Sequence, residues 1–237
     1  MIKNDLFRKY YGFNLYHRDK WVGAVSKLVP KYAFVLDVGA GSAPYRTLFA
    51  HCNYKTHDFS QLSKSQLRGK NGYFEIDYVS DIVSIPVENE SFDFILCTEV
   101  IEHVPYPIEA IKEISRVLKP GGKLFITAPL GSGLHQEPYH YYGGYTPYWY
   151  EKFLTDNGMK LISIEPNKGF YSFLSQELLR FLYRSVSLNR LSNILLLPLT
   201  LFLVLPSLLL PLFASFFDKW DTNRDFTVGY HVVAEKM

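Results

Sequence analysis

FVLDVGAGSAP, from Phe34 to Pro44, decides the fold. An apolar run passes without a spacer into two glycines one residue apart, and Pro44 opens the segment that follows. That is the join of a first parallel strand to a helix, and a nucleotide-type ligand binds at the carboxyl end of such a strand. Glycine lets backbone N–H groups approach the ligand, and the positive end of the next helix faces a carboxylate or phosphate. The dinucleotide pattern G-x-G-x-x-G is not met, because its third glycine position is Pro44. Asp37 stands two residues before Gly39, where its charge disfavours a pyrophosphate and suits a ligand carrying positive charge.

Outward from this join, short apolar runs alternate with amphipathic stretches, the pattern of a parallel sheet covered by helices on both faces. The fold class is α/β. Strands are expected at Tyr32–Val38, Tyr54–Asp58, Tyr73–Asp77, Ser91–Cys97, Lys123–Ala128 and Met159–Glu165, with a last one in the alternating FTVGYHVVAEK near the C-terminus. Helices are expected at Asp19–Leu28, from Pro44 to Ala50, at Pro107–Leu118 and at Tyr148–Asn157, the last stopped at Gly158.

The chain has 237 residues, enough for one substantial core or one domain with an accessory segment. A net charge of +2 argues against binding nucleic acid by phosphate neutralisation, and 48% hydrophobic residues exclude a disordered chain. Two cysteines, Cys52 and Cys97, give no material for a disulfide framework, which fits a reducing, cytosolic compartment. The N-terminal MIKNDLFRKYYGFN lacks the apolar region of a secretory signal, so export by that route is not expected.

VLDVGAGSAPYR (Val35–Arg46), Asp58 ending the second strand, Asp81-Ile82, SFDFILCTEVIEHV (Ser91–Val104) and RVLKPGGKLFITAP (Arg116–Pro129) occur in order. Together they resemble the motifs of class I S-adenosyl-L-methionine (SAM)-dependent methyltransferases of type 11, of the kind found with bacterial polysaccharide or lipid-linked glycan biosynthesis. The resemblance covers roughly Trp21 to Glu165 and the terminal strand. It implies a Rossmann-like seven-stranded sheet of order 3-2-1-4-5-7-6 with the last strand antiparallel, and SAM as cofactor. It further implies that Asp37, Gly39, Ala40 and Gly41 line the methionine end of SAM. Asp58 then accepts the ribose hydroxyls, Asp81 meets the adenine amino group, Ile82 packs on the ring, and Thr98 and Glu99 border the methionine moiety. Ala43 departs from the family, which often has a third glycine there, and a slight shift of the loop is expected.

Methyl transfer from a sulfonium is an in-line displacement in which the cofactor supplies the activated group. His103, five residues after Thr98, is the candidate base for a hydroxyl acceptor, against the alternative of a helix-start histidine bonded to backbone. His135 and His140 lie in a tyrosine-rich loop after the fifth strand and are further catalytic candidates. No regular spacing presents them with Glu137 as ligands, so no metal site is expected. Tyr139, Tyr141, Tyr142 and Tyr145 suit a pocket for a sugar or phenolic ring.

Leu191–Phe217 carries no charged side chain. The expected organisation is a methyltransferase domain of residues 1–166 and 225–237 with a membrane-associating helical insertion at 167–224. Pro206 divides the apolar run into legs of roughly 22 and 16 Å as helices, each too short to cross a bilayer, so an in-plane or re-entrant hairpin is expected. Arg180, Arg184 and Arg190 before the run, with Lys219 and Arg224 after it, favour two cytoplasmic ends against anionic headgroups. The function expected is O-methylation of a lipid-linked saccharide or other membrane-borne acceptor at the cytoplasmic face of the membrane, a prenylated quinone ring being the competing lipid acceptor. The alternatives are a soluble small-molecule methyltransferase whose apolar segment forms a homodimer, and a non-catalytic membrane-anchored SAM-binding module.

Overall fold

The computed structural model describes residues 5–70, 72–185, 195 and 197–237. They form two compact units: Arg18–Glu165 with Gly229–Met237, and Met1–His17 with Pro166–Val228. Helix α1 (Asp5–Tyr11) therefore groups with the insertion, whereas the sequence reading places it with the sheet.

In the first unit a seven-stranded sheet runs β3-β2-β1-β4-β5-β7-β6. Its strands are β1 (Phe34–Val38), β2 (Asn53–Asp58), β3 (Tyr78–Val79), β4 (Phe92–Thr98), β5 (Leu118–Pro129), β6 (Met159–Pro166) and β7 (Gly229–Lys236). β1 pairs in parallel with β2 and β4, and β7 runs antiparallel to β5. Alternation within each strand feeds two cores. Leu36, Val38, Ile95, Cys97, Leu124 and Ile126 face α3 (Pro107–Val117) and α4 (Pro147–Asp156). Val35, Leu96 and Phe125 face the other way, onto Val22 and Val25 of α2 (Phe13–Val25).

Two expected elements are corrected. No α-helix follows the glycine loop: i→i+3 bonds such as Leu48 N–H to the Tyr45 carbonyl (2.9 Å) wind Arg46–Phe49 into one 3₁₀ turn. The third strand lies at Tyr78–Val79 instead of Tyr73–Asp77. The Asp77 carboxylate accepts from the Thr56 amide and hydroxyl (both 3.0 Å), so a side chain takes the place of a ladder bond and pairing starts one residue later.

The second unit holds α5 (Phe170–Ser185) and α6 (Leu197–Phe217). Asp218, buried just past the end of α6, accepts from Gly169 N–H, Ser172 N–H and the Ser172 hydroxyl, and Asp221 accepts from Phe170 N–H. These acceptors satisfy the orphan amides at the start of α5 from outside its own sequence. The chain thus enters and leaves the helix pair at one end. Thr200, Ser207, Pro211 and Ala214 form the buried stripe of α6, while Leu201, Phe202, Leu205 and Phe213 stand exposed.

The expected break at Pro206 is absent. Helix α6 continues through Pro206 and Pro211 for 21 residues and is long and apolar enough to cross a membrane. Each proline removes a single i→i−4 bond, and the ladder on either side keeps the axis going. Arg190, with residues 191–194 and 196 of the apolar run, lies outside the described residues.

Candidate functional site

Every residue assigned above to the cofactor, together with His103, lines one cavity of about 350 Å³ at the carboxyl ends of β1 and β4. The glycine loop is shaped by steric need. Gly39 has φ +69°, and a Cβ there would lie 2.4 Å from Val100 Cγ2. Gly41 is also left-handed, at φ +53°, and its N–H donates to Asp58 Oδ2 at 2.9 Å. Asp58 Oδ1 accepts from Ser60 N–H at 2.9 Å, so this carboxylate braces two loops and still has lone pairs for a ligand's hydroxyls. Ala43 adopts φ +46°, the conformation that the family's usual glycine would take freely.

Asp37 is 2% exposed and accepts a hydrogen bond from the Tyr54 hydroxyl. Burial pushes its carboxyl up to about 7, against the Tyr54 bond, which lowers it; the Asp58 charge adds to the rise. A cation delivered to this wall would draw the proton off. Asp81 is exposed and Ile82 buried, on a turn tied down from helix α3. Glu113 accepts from Ile85 N–H at 2.7 Å, and Arg116 donates to the Ile85 and Val87 carbonyls.

Sequence reasoning missed Arg18, which lines the cavity from α2 and pairs with Glu99 Oε2 at 3.0 Å. Thr127 donates to Glu99 Oε1 at 2.9 Å, and Glu99 itself has φ +55°. No local pattern signals a pair so far apart in sequence. Gln61 and Gln136 also line the cavity and were missed, whereas Tyr139 and Tyr141 line it as the tyrosine-loop reading expects. Tyr139 Oη donates to Gln61 Oε1 (3.1 Å) and Gln136 Nε2 to the Gln66 carbonyl (2.9 Å), which ties the loop after β5 across to the loop after β2.

The three histidines, which no spacing brings together, form one cluster, with His103 lining the cavity and His135 and His140 outside its lining. Ring centroids lie 4.7 Å apart for His103 and His135, 4.5 Å for His135 and His140, and 5.7 Å for His103 and His140. His103 Nδ1 faces the Tyr139 carbonyl at 2.6 Å; a carbonyl only accepts, so the proton is on Nδ1 and the lone pair on Nε2. Burial holds His103 down to about 4, outweighing the Tyr139 bond, and the neighbouring His135 and His140 lower it further. Tyr141 and Tyr142 donate their amides to the Glu102 carbonyl, and Tyr145 Oη bonds the Ile101 carbonyl at 2.7 Å, so the loop's tyrosines pack as well as line.

Residues 36–126 match the methyltransferase domain family. A ubiquinone biosynthesis O-methyltransferase of Xanthomonas oryzae pv. oryzae is 36% identical over 101 residues, 40% of this chain and 42% of that protein. A protein of the same name from Hahella chejuensis is 35% identical over 99 residues, 39% of this chain and 42% of that one. The alignments thus span less than half the length of these curated relatives. Among solved structures, the cyclase SpnF superposes with TM-score 0.56 at 17% identity, over 92% of this chain and 80% of that one. A SAM-dependent methyltransferase of Methanosarcina mazei gives 0.52 at 14%, over 90% and 97%. At those identities the superpositions speak to fold alone. The matched segment lies inside the first unit, whose seven-stranded sheet has the Rossmann-like order of the methyltransferase fold.

Two outcomes follow from this geometry. Gly39→Val should reduce SAM affinity by at least about tenfold in calorimetry, because the side chain meets Val100 and the left-handed backbone is strained. Asp37 holds a proton in the folded state that the unfolded chain releases near the ordinary value of 3.8, so its contribution to stability is full below that pH and is lost as pH rises through about 7. Denaturation of Asp37→Asn should therefore show a flatter fall in stability across that window than the parent chain, and parallel curves would contradict the assignment.

Proposed function

We propose that the chain is a SAM-dependent O-methyltransferase whose acceptor is a hydroxyl on a membrane-borne molecule. The observation that carries the methyl-transfer part is the single cavity in which the left-handed glycines, Asp37 and the Asp58 brace share walls with His103. The buried acidic wall suits the ammonium and sulfonium of SAM, and Arg18 offers its carboxylate a cationic partner. The neutral imidazole of His103, with its lone pair on Nε2, is the residue through which an acceptor hydroxyl is activated.

Support for a membrane-borne acceptor comes from the second unit. Leu201, Phe202 and Leu205 are exposed on a helix with no charged residue, and small side chains fill its buried stripe. Helices in lipid associate through close packing of this kind. The chain enters and leaves the pair α5–α6 at one end, which suits a hairpin held at the cytoplasmic face, with Lys219 and Arg224 at that end toward anionic headgroups. A lipid-linked saccharide is the acceptor put first. A phenolic ring on a prenyl tail is the second reading, favoured by the similarity to ubiquinone biosynthesis O-methyltransferases.

Incubating the full chain with labelled SAM and each acceptor type separates the two readings by which lipid takes up label. Turnover is the needed readout, since one protein sharing the fold is named a cyclase. His103→Ala should lower turnover by about 10²–10⁴ while SAM affinity stays within about twofold. Unchanged turnover would remove His103 from the chemistry. Leu201, Phe202 and Leu205 changed together to glutamate should release the protein from anionic vesicles in a sedimentation assay with SAM affinity intact. A parent chain that does not sediment, and forms a dimer which the same variant dissociates, would assign the face to self-association instead.

A further inference from the structure

We propose that Glu102, His103 and His135, with His140 beside them, form a binding site for one divalent transition-metal ion of the zinc type next to the His103 wall of the cavity.

The first ground is the hydrogen bonding of the three rings. His103 Nδ1 and His135 Nδ1 face the carbonyls of Tyr139 (2.6 Å) and Gly133 (2.9 Å). His140 Nε2 lies 3.1 Å from Ser132 Oγ, whose own proton is directed at the Gly143 carbonyl, so the hydroxyl accepts from the imidazole. Each ring thus has one nitrogen held as N–H by a protein oxygen, and each neutral ring keeps a lone pair on the other nitrogen. An outer oxygen that fixes tautomer and ring orientation is the arrangement that accompanies metal-bound histidine.

The second ground is compactness. One ligand atom each from Glu102, His103 and His135 lie within 4.8 Å of one another, and the His140 ring is 4.5 Å from that of His135. Ligands at about 2.0–2.1 Å around a tetrahedral ion sit about 3.3–3.5 Å apart, so side-chain rotations of about an ångström bring the ligand atoms of Glu102, His103 and His135 onto one ion and leave a fourth position open.

The third ground is Glu102. It is 1% exposed, Oε1 is 3.7 Å from His103 Nε2, and neither carboxylate oxygen has a hydrogen-bond partner. Buried carboxyl groups are ordinarily paired or bound to a cation, and the Arg18 guanidinium, whose charge reaches Glu102, is already paired with Glu99 at 3.0 Å. Imidazole-rich sites with a carboxylate select zinc, cobalt or iron over magnesium and calcium.

One consequence rests on the methyl-transfer reading. An ion with an open position beside the cavity would coordinate the acceptor hydroxyl and lower its pKa. The hydroxyl proton leaves to solvent, the oxygen forms a bond to the methyl carbon, and the carbon–sulfur bond breaks to leave a neutral thioether. His103 then acts as a ligand to the ion.

The test needs neither SAM nor acceptor, so it stands or falls apart from that reading. Untagged full-length chain, stripped by dialysis against a chelator, is titrated with cobalt chloride and followed by visible absorption, then competed with zinc chloride. The expected result is one ion per chain, with the intense bands of four- or five-coordinate cobalt that zinc abolishes. His135 is on an exposed loop, so His135→Ala should fold as the parent does and bind cobalt at least about tenfold more weakly; Glu102→Gln should shift the bands. No cobalt bands in the parent chain, or equal affinity in His135→Ala, overturns the proposal. Binding without any effect of chelation on turnover would keep the site and overturn its role in methyl transfer.

Discussion

The sheet changes direction between β1 and β4, and the site depends on that reversal. From β1 the chain builds outward through β2 and β3, then crosses back to place β4 on the other side of β1. The connections leaving β1 and β4 therefore part in opposite directions and leave a crevice above their carboxyl ends that no helix fills. Gly39, Asp58 and Asp81 stand at or just past the ends of β1, β2 and β3, and Thr98 and His103 at and past the end of β4; they reach one cavity because those strands end at this edge. Asp58 turns the crevice into a defined shape by bonding Gly41 and Ser60, which holds the first loop against the second.

Charge at this edge is arranged by burial. Asp37 is desolvated and held near neutral until something cationic meets it, whereas Glu99 is compensated by Arg18 from outside the strand framework. Glu102 is likewise desolvated, and burial together with the Glu99 charge pushes its carboxyl well up against the opposing charge of Arg18. A buried acid without a partner costs stability, and such groups are retained where a ligand or ion completes them. The same edge therefore has one acid that suits the cofactor's positive charge and another that faces the histidine cluster.

The second unit follows a different economy. Its helix pair is joined by small side chains and by Asp218 reaching the amides of Gly169 and Ser172, so its own contacts do not bury the leucines and phenylalanines of α6. A helix with that much apolar surface in water is unfavourable by tens of cal/mol per Å². Lipid or a second apolar surface removes the cost, which is why the membrane proposal rests on this face.

By itself the sequence determined the strand-to-glycine join, α3 with its leading proline, the turn at Gly158 and six of the seven strands in order, because these depend on local periodicity, on proline's fixed φ and on glycine's freedom at positive φ. Motif resemblance extended this to the strand order and brought together residues that line one cavity. Tertiary structure alone decided the rest. Asp77 moved the third strand by taking Thr56's amide, Arg18 found Glu99, and α6 ran on through Pro206 where a local rule would end it. His103, His135 and His140 have no shared period, and they meet because the loop after β5 is tied back over the cavity by Tyr139 and Gln136. Local rules describe what a residue does to its own backbone; a contact between distant side chains depends on which loops the sheet edge brings together, and no window of sequence contains that.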